Sequence, residues 1–414
     1  MRILGLCKEA CCKCKAILKM INYTDKKIYL DHAATTPLSK EALKAMMPYF
    51  KDAFGNANSL HSFGRTAALA VSESRARIAG LIGAKSNEIY FCSGGTESCN
   101  WAIKGFLDRG SHIIVSAIEH PAILAPLKDL ERQGIEVSYL PVYDNGIVRV
   151  EDLERAVRKD TALISIMYAN NEIGTIQPIK ELAETAKKHG VPFHTDAVQA
   201  VGKIKVDVKE LGVDMMSFSA HKFYGPKGIG ALYIKGGIRP NKLIQGGSQE
   251  RTMRGGTSNV AAIVGFASAM QSAVAGIDKN TKRIKKLRDA FIKRVLCEIE
   301  HCYLNGDQKI RLDNNANFVF DFVEGESILM MLDLSGIAVS SGSACSSGSL
   351  TVSHVLLGLG VPQEKAHGSI RFSFGNANTM EEVDFVVDRL KEVISKLRAM
   401  SPLFLQVKGD TKIV

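Results

Sequence analysis

Residues 192–222 read PFHTDAVQAVGKIKVDVKELGVDMMSFSAHK, and two strand endings inside this stretch decide the fold. A short apolar strand over Pro192–Thr195 runs into Asp196, with Gln199 within a turn of it. A short helix over Val208–Leu211 follows, then a strand over Met215–Ser219 that runs into Ala220-His221-Lys222. Strand, helix and strand in so short a span make the repeating unit of a parallel sheet. The alternation extends outward in both directions. Strands are expected at Glu88–Cys92, Ser111–Ser116, Val137–Pro141, Thr161–Tyr168 and Gly230–Ile234. Helices are expected at Ser39–Phe50, Gly64–Ile82, Ala122–Gln133, Val150–Val157 and Ile179–His189. A mainly parallel sheet covered on both faces places its ligands at the carboxyl ends of its strands, so the residues just after each strand carry the chemistry.

The chain has 414 residues, more than one ordinary core accommodates. Its texture changes near residue 275. Beyond it come a Lys-rich amphipathic helix over Asn280–Glu300, strands at Asn317–Phe322 and Ser369–Phe374, and a last helix opened by a capping box, Thr379 with Glu382. The expected division is a large domain over 28–275, a smaller α+β domain over 276–400, and a tail over 401–414. Hydrophobic residues at 46% and charged residues at 23% exclude wholesale disorder, collagen and coiled coil. No apolar run reaches the roughly 20 residues of a membrane helix. The net charge of +10 gathers on Lys279, Lys282, Arg283, Lys285, Lys286 and Arg288 without interleaved aromatics. That pattern reads as a solvated helix face, so no nucleic acid and no membrane partner is expected.

Nine cysteines, an odd number in a long chain without a secretory h-region, imply free thiols and a reducing, cytoplasmic setting. Cys7, Cys11, Cys12 and Cys14 cluster in residues 1–27, a segment of unassigned role. No second Cys/His pair follows at zinc spacing, which favours an unstructured tail or a start codon placed too early.

Five strand endings bear functional groups. Ser93-Gly94-Gly95-Thr96 opens a helix whose free N–H groups suit one phosphate, and it lacks the lysine of a P-loop. His120 can stack on a flat ring or move protons. Asn171 can hydrogen-bond a phenolic oxygen or a carboxylate. Asp196 can cap the next segment or pair with a protonated pyridine nitrogen, and Lys222 can form a Schiff base with an aldehyde cofactor. Pyridoxal 5'-phosphate (PLP) asks for this set. Beyond these, Cys345 lies in Ser340-Ser341-Gly342-Ser343-Ala344-Cys345-Ser346-Ser347-Gly348, a small-residue loop in which an exposed thiol reads as a nucleophile. Arg371, in Ser369-Ile370-Arg371-Phe372-Ser373, suits a bidentate carboxylate clamp.

The set resembles fold-type I PLP enzymes of the class V aminotransferase group. Several stretches narrow the resemblance to cysteine desulfurases of the NifS/IscS type: Leu30-Asp31-His32-Ala33-Ala34-Thr35-Thr36-Pro37, Gly95-Thr96-Glu97-Ser98, Asn170-Asn171-Glu172-Ile173-Gly174, His194 to Gln199, Ser219 to Lys222, Arg254-Gly255-Gly256-Thr257 and Ser341 to Cys345. The resemblance covers about residues 28–400. It implies a PLP-dependent transferase fold of type I, with a seven-stranded large domain and a smaller one. It makes Lys222 the Schiff-base lysine and His120 the ring-stacking acid/base. Asp196 becomes the partner of the pyridine nitrogen. Gln199 and Asn171 contact the ring oxygen or the substrate, while Gly95, Thr96, Ser219 and His221 serve the phosphate. Thr257 would reach the phosphate in the neighbouring subunit of a homodimer, and Arg371 with Asn171 would fix the carboxylate of L-cysteine. The implied reaction leaves a persulfide on Cys345 and releases alanine. The sulfur then passes to an acceptor protein such as an iron–sulfur scaffold, and Cys345 could ligate a shared cluster. Selenocysteine lyase and class V aminotransferase activity are the alternatives within the fold, and a scaffold that has lost its active site is the non-enzyme one. Cys99 departs from the family pattern, where an Asp is common, and Cys92 and Cys99 are taken as structural.

Overall fold

The computed structural model describes residues 27–341 and 352–410. After β1 (Ile28–Tyr29) the chain builds its main sheet from β2 (Ile89–Cys92), β3 (His112–Ser116), β4 (Glu136–Leu140), β5 (Thr161–Ser165), β6 (Phe193–Asp196), β7 (Met215–Ser219) and β8 (Gly230–Ile234). Their order across the sheet is β2-β8-β7-β6-β5-β3-β4. β7, β6, β5, β3 and β4 are parallel, and β8 runs antiparallel to both β7 and β2. This is the expected mainly parallel seven-stranded sheet. β8 reverses direction because a short connection, the 3-10 turn Ala220–Lys222 and a glycine-bearing loop, joins it to β7 without an α-helical crossover. Every residue of β3, β5, β7 and β8 is buried, as a sheet covered on both faces requires.

The chain then forms β9 (Cys302–Leu304), β10 (Asn315–Phe320), β11 (Ile337–Ala338) and β12 (Ser369–Ser373). β12, β10 and β9 make a three-stranded antiparallel sheet, and β1 pairs in parallel with β11. A second core gathers here around Phe291, Phe318, Phe372 and Phe374. Ile28 and Leu30, which the expected division assigns to the large domain, pack in this second core instead. The turn after β1 therefore bridges the two units, with the Ser373 N–H donating to the Leu30 carbonyl at 2.7 Å.

Other boundaries move for local reasons. The helix expected over Ser39–Phe50 breaks at Met47, ahead of Pro48, which has no N–H to continue it. The strand expected over Thr161–Tyr168 ends at Ser165, although Ile166 and Tyr168 still donate to the His194 and Asp196 carbonyls of β6 at 3.1 and 2.9 Å. The helix Val260–Ala275 has no amphipathic signal to announce it: it is apolar nearly all round and buried. It meets the helix Ile277–Glu298 at a bend of 70° around Gly276. The Thr379–Glu382 capping box forms as expected. The expected tail carries a further helix, Pro402–Asp410. Among the described residues no single helix is long and apolar enough to cross a membrane.

Candidate active site

A cavity of about 280 Å³ opens at the carboxyl ends of the parallel strands. Gly95, Thr96, His120, Asn171, Asp196, Gln199, Ser219, His221, Lys222 and Arg371 all line it, joined by Ala33 and Ala34 from the turn after β1. Ten of the twelve residues singled out from the sequence are thus brought together. Thr257 is exposed and outside this lining. Cys345, with the cluster-ligand reading attached to it, lies outside the described residues, as do Cys7, Cys11, Cys12 and Cys14.

One end of the cavity is the start of the helix Gly95–Lys104. Its first N–H groups have no partners within the helix, and its dipole favours an anion there. The backbone passes so close to the next element that a Cβ on Gly95 would sit 2.9 Å from a Val198 methyl. Ser98, one turn in, donates to the Ser217 hydroxyl at 2.6 Å. His194 links Ser217 to Ser165 through its two ring nitrogens, at 2.9 and 2.8 Å. Burial takes the His194 ring down to about 3, so it remains neutral. This buried network ties the start of the Gly95–Lys104 helix to β5, β6 and β7.

At the other end Asp196 is the last residue of β6, and one of its oxygens accepts from the Val198 N–H at 2.9 Å. Burial raises its pKa, opposed by the attraction of His120 and Lys222. Burial lowers that of His120 in turn. His120 Nδ1 accepts from the Ala122 N–H at 3.0 Å, capping the helix Pro121–Arg132. The neutral ring therefore carries its proton on Nε2. Lys222 stands in the tight turn after β7, with Nζ donating to the carbonyls of Ala33 at 2.6 Å and Ala34 at 2.7 Å. Gln199 Nε2 also donates to the Ala33 carbonyl, at 2.8 Å.

Arg371 comes from β12 and closes the cavity from the second unit. It donates to Asp31 at 2.7 Å and to the Asn171 carbonyl at 3.0 Å, while its buried Nε has no protein partner. The expected contact of the Asn171 side chain with a carboxylate is thus joined by a second role, in which its backbone steadies the guanidinium. Asp31 is a positioning residue that sequence reasoning missed. Its signal was available: an acidic residue directly after a strand in the Leu30–Pro37 motif.

The two ends of the segment that carries Cys345 are fixed beside the cavity. Ser340 and Arg371 exchange backbone hydrogen bonds at 3.2 and 2.7 Å. Ser353 donates to Glu172 at 2.6 Å, and the His354 ring meets the Glu119 carbonyl at 3.0 Å. Cys92 and Cys99 are buried, and burial pushes the Cys92 thiol up to about 12, which suits neither for thiolate chemistry. Among the described residues no group of His, Cys, Asp and Glu is arranged to hold a metal ion.

A family model described as aminotransferase class-V matches residues 28–386, so the chain belongs to that family. It is 55% identical over 391 residues to a cysteine desulfurase IscS from Dictyoglomus turgidum, covering 94% of this chain and 99% of that one. It is 51% identical to a cysteine desulfurase IscS from Methanosarcina thermophila, over 92% of this chain and 96% of the relative. Among solved structures, a NifS-like protein superposes with a TM-score of 0.84 at 38% identity, covering 89% of this chain and all (100%) of that one. Within the class V family, these likenesses put the chain in the NifS/IscS branch.

Proposed function

We propose that the protein is a PLP-dependent cysteine desulfurase, which takes the sulfur from L-cysteine and hands it to an acceptor protein such as an iron–sulfur scaffold. One observation carries this reading: Lys222, the buried Asp196, His120 and the helix start at Gly95 converge on one cavity, with Arg371, whose Nε has no protein partner, at its edge. The residues present fit PLP. Gly95, Thr96, Ser219 and His221 would hold the phosphate. Burial and Lys222 take His221 down to about 4, so it would act there as a neutral donor. His120 would lie against the ring, Asp196 would meet the pyridine nitrogen and Lys222 the aldehyde carbon. When bound, PLP supplies an electron sink that makes the substrate's Cα–H bond acidic and its Cβ–Sγ bond breakable.

The chain's own groups do the rest. Arg371, steadied by Asp31 and Asn171, orients the L-cysteine carboxylate through its remaining N–H groups. Lys222 and His120 move protons at Cα. The Cys345 thiolate bonds to the substrate sulfur as the Cβ–Sγ bond breaks. The electron pair of that bond stays with Cβ, which takes a proton, so alanine leaves and Cys345 keeps a persulfide. The free cysteines of the described residues fit a reducing cytoplasm. The reaction is tested by the products from L-cysteine with dithiothreitol: sulfide and alanine in equal amounts are expected. Pyruvate, or amino transfer to a keto acid, would instead mark an aminotransferase.

A homodimer belongs to this reading. Leu43, Met47, Phe50, Phe54, Leu60, Phe63 and Leu69 are all exposed on the helices of residues 40–81 and the loop between them, Leu60 by 91% and Phe54 by 67%. So many large apolar side chains on one stretch of surface mark a partner face. A second copy would cover them and bring its own Thr257 towards the phosphate. Light scattering is expected to give twice the chain mass of 45.0 kDa for the wild type. Phe54→Asp with Leu60→Asp should give one chain mass and lose PLP. A monomeric wild type would contradict the dimer.

A further inference from the structure

Lys222 also lines a second cavity of about 60 Å³, together with His32, Lys203, Tyr224, Asp313 and Asn314. Two of these bear buried polar atoms without protein partners, His32 Nδ1 and Asn314 Oδ1. Lys203 Nζ donates to Gln199 Oε1 at 2.6 Å. The other end of that amide, Nε2, meets the Ala33 carbonyl, which also accepts from Lys222. A lysine ammonium has only donors, so it can meet only the oxygen end of an amide. Lys203 thereby dictates which way Gln199 points. Turned over, the amide would set its oxygen against the Ala33 carbonyl and against any anionic group in the main cavity.

The charged and titratable groups around Lys203 are His32 from the turn after β1, His221, Lys222 and Tyr224 from the turn after β7, Asp313 ahead of β10 and Arg371 from β12. Two cations, Lys222 and Arg371, bear on Lys203, the second of them paired with Asp31 at 2.7 Å. Burial, then Lys222 and Arg371, bring Lys203 down to about 7. An ammonium in such company is costly to the fold, and an anion entering the main cavity would offset that cost.

We propose that Lys203 is a positioning residue of the active site, which turns the Gln199 amide so that its N–H₂ faces the ring oxygen of PLP and whose ammonium balances that oxygen's negative charge. The inference rests on the PLP reading of the main cavity. It gives a lysine a purpose at a position where a methionine would pack at no electrostatic cost.

The test compares wild type, Lys203→Arg and Lys203→Met. PLP affinity of the cofactor-free proteins is measured by equilibrium dialysis, and the absorbance of the PLP-loaded proteins is titrated with pH. Lys203→Met is expected to bind PLP roughly tenfold more weakly, the loss of one charge-assisted orienting bond. Losing a neighbouring cation favours the protonated chromophore, so the midpoint of its titration should rise by about one pH unit. Lys203→Arg should recover part of both effects. A third readout needs no cofactor. The folded-state value of Lys203, about 7, lies below the ordinary lysine value of 10.5, so unfolding takes up a proton between the two. The cofactor-free wild type should therefore gain stability as pH rises through that window, and Lys203→Met should lose that slope. Lys203→Gln keeps a polar stem without the charge and reads the same shifts where the methionine variant does not fold. If wild type binds PLP and the uncharged variants match it in affinity and midpoint, the inference falls while the PLP reading stands. If wild type binds no PLP, both fall.

Discussion

Lys222→Ala is expected to fold, to lack the wild-type absorbance of bound PLP, and to release no sulfide from L-cysteine. Among the described residues Lys222 is the only lysine lining the main cavity. It stands in a tight turn whose position is set by backbone pairing: the Thr36 N–H donates to the His221 carbonyl at 3.0 Å, and the Tyr224 N–H to the Thr36 hydroxyl at 2.7 Å. The lysine has two duties, anchoring the aldehyde and moving the Cα proton, and losing both should cost at least about a thousandfold in turnover. Weak PLP binding should survive, because the phosphate turn and Asp196 are untouched. Unchanged absorbance would move the cofactor's anchor to another lysine and undo the assignment.

Cys345→Ala should behave oppositely, keeping the PLP absorbance and its response to L-cysteine while losing sulfide release. Among the described residues no thiol lines the cavity; Cys92 and Cys99 are buried, and Cys297 and Cys302 lie on the second unit. That agrees with a nucleophile on the segment that follows Ser341, where the proposed function places Cys345. Cys345 is four residues along, a reach of at most about 14 Å, and Ser340 is hydrogen-bonded to Arg371 at the cavity itself. Undiminished sulfide release from this variant would remove Cys345 from the reaction and favour selenocysteine or a transamination substrate.

Which parts of the site could be read from the sequence follows from how far apart the cooperating residues stand. Asp196 and Lys222 each end a parallel strand, and the rule that such sheets bind ligands at carboxyl ends made both visible one at a time. The Asp31–Arg371 pair joins residues 340 positions apart. Nothing local in either stretch announces the other, and the parallel bridge of Asp31 to Ser373 in β12 that brings them together is equally non-local. Lys203 was not singled out from the sequence, because the residues that surround it, such as Ala273, Ile277 and Thr281, stand on helices far along the chain. The helix Val260–Ala275 was hidden by being apolar on every face, which erases the period that marks a surface helix. The capping box at Thr379 and Glu382, by contrast, is wholly local, and it forms where the sequence placed it.

The central claim is that sulfur passes from L-cysteine to Cys345. It is tested most directly by one turnover without a reductant, followed by mass spectrometry of the peptide that carries Cys345. One alanine per chain and a mass gain of one sulfur atom on that peptide are expected, with the gain removed by dithiothreitol. Alanine formed without that mass gain, or the gain found on another cysteine, would contradict it.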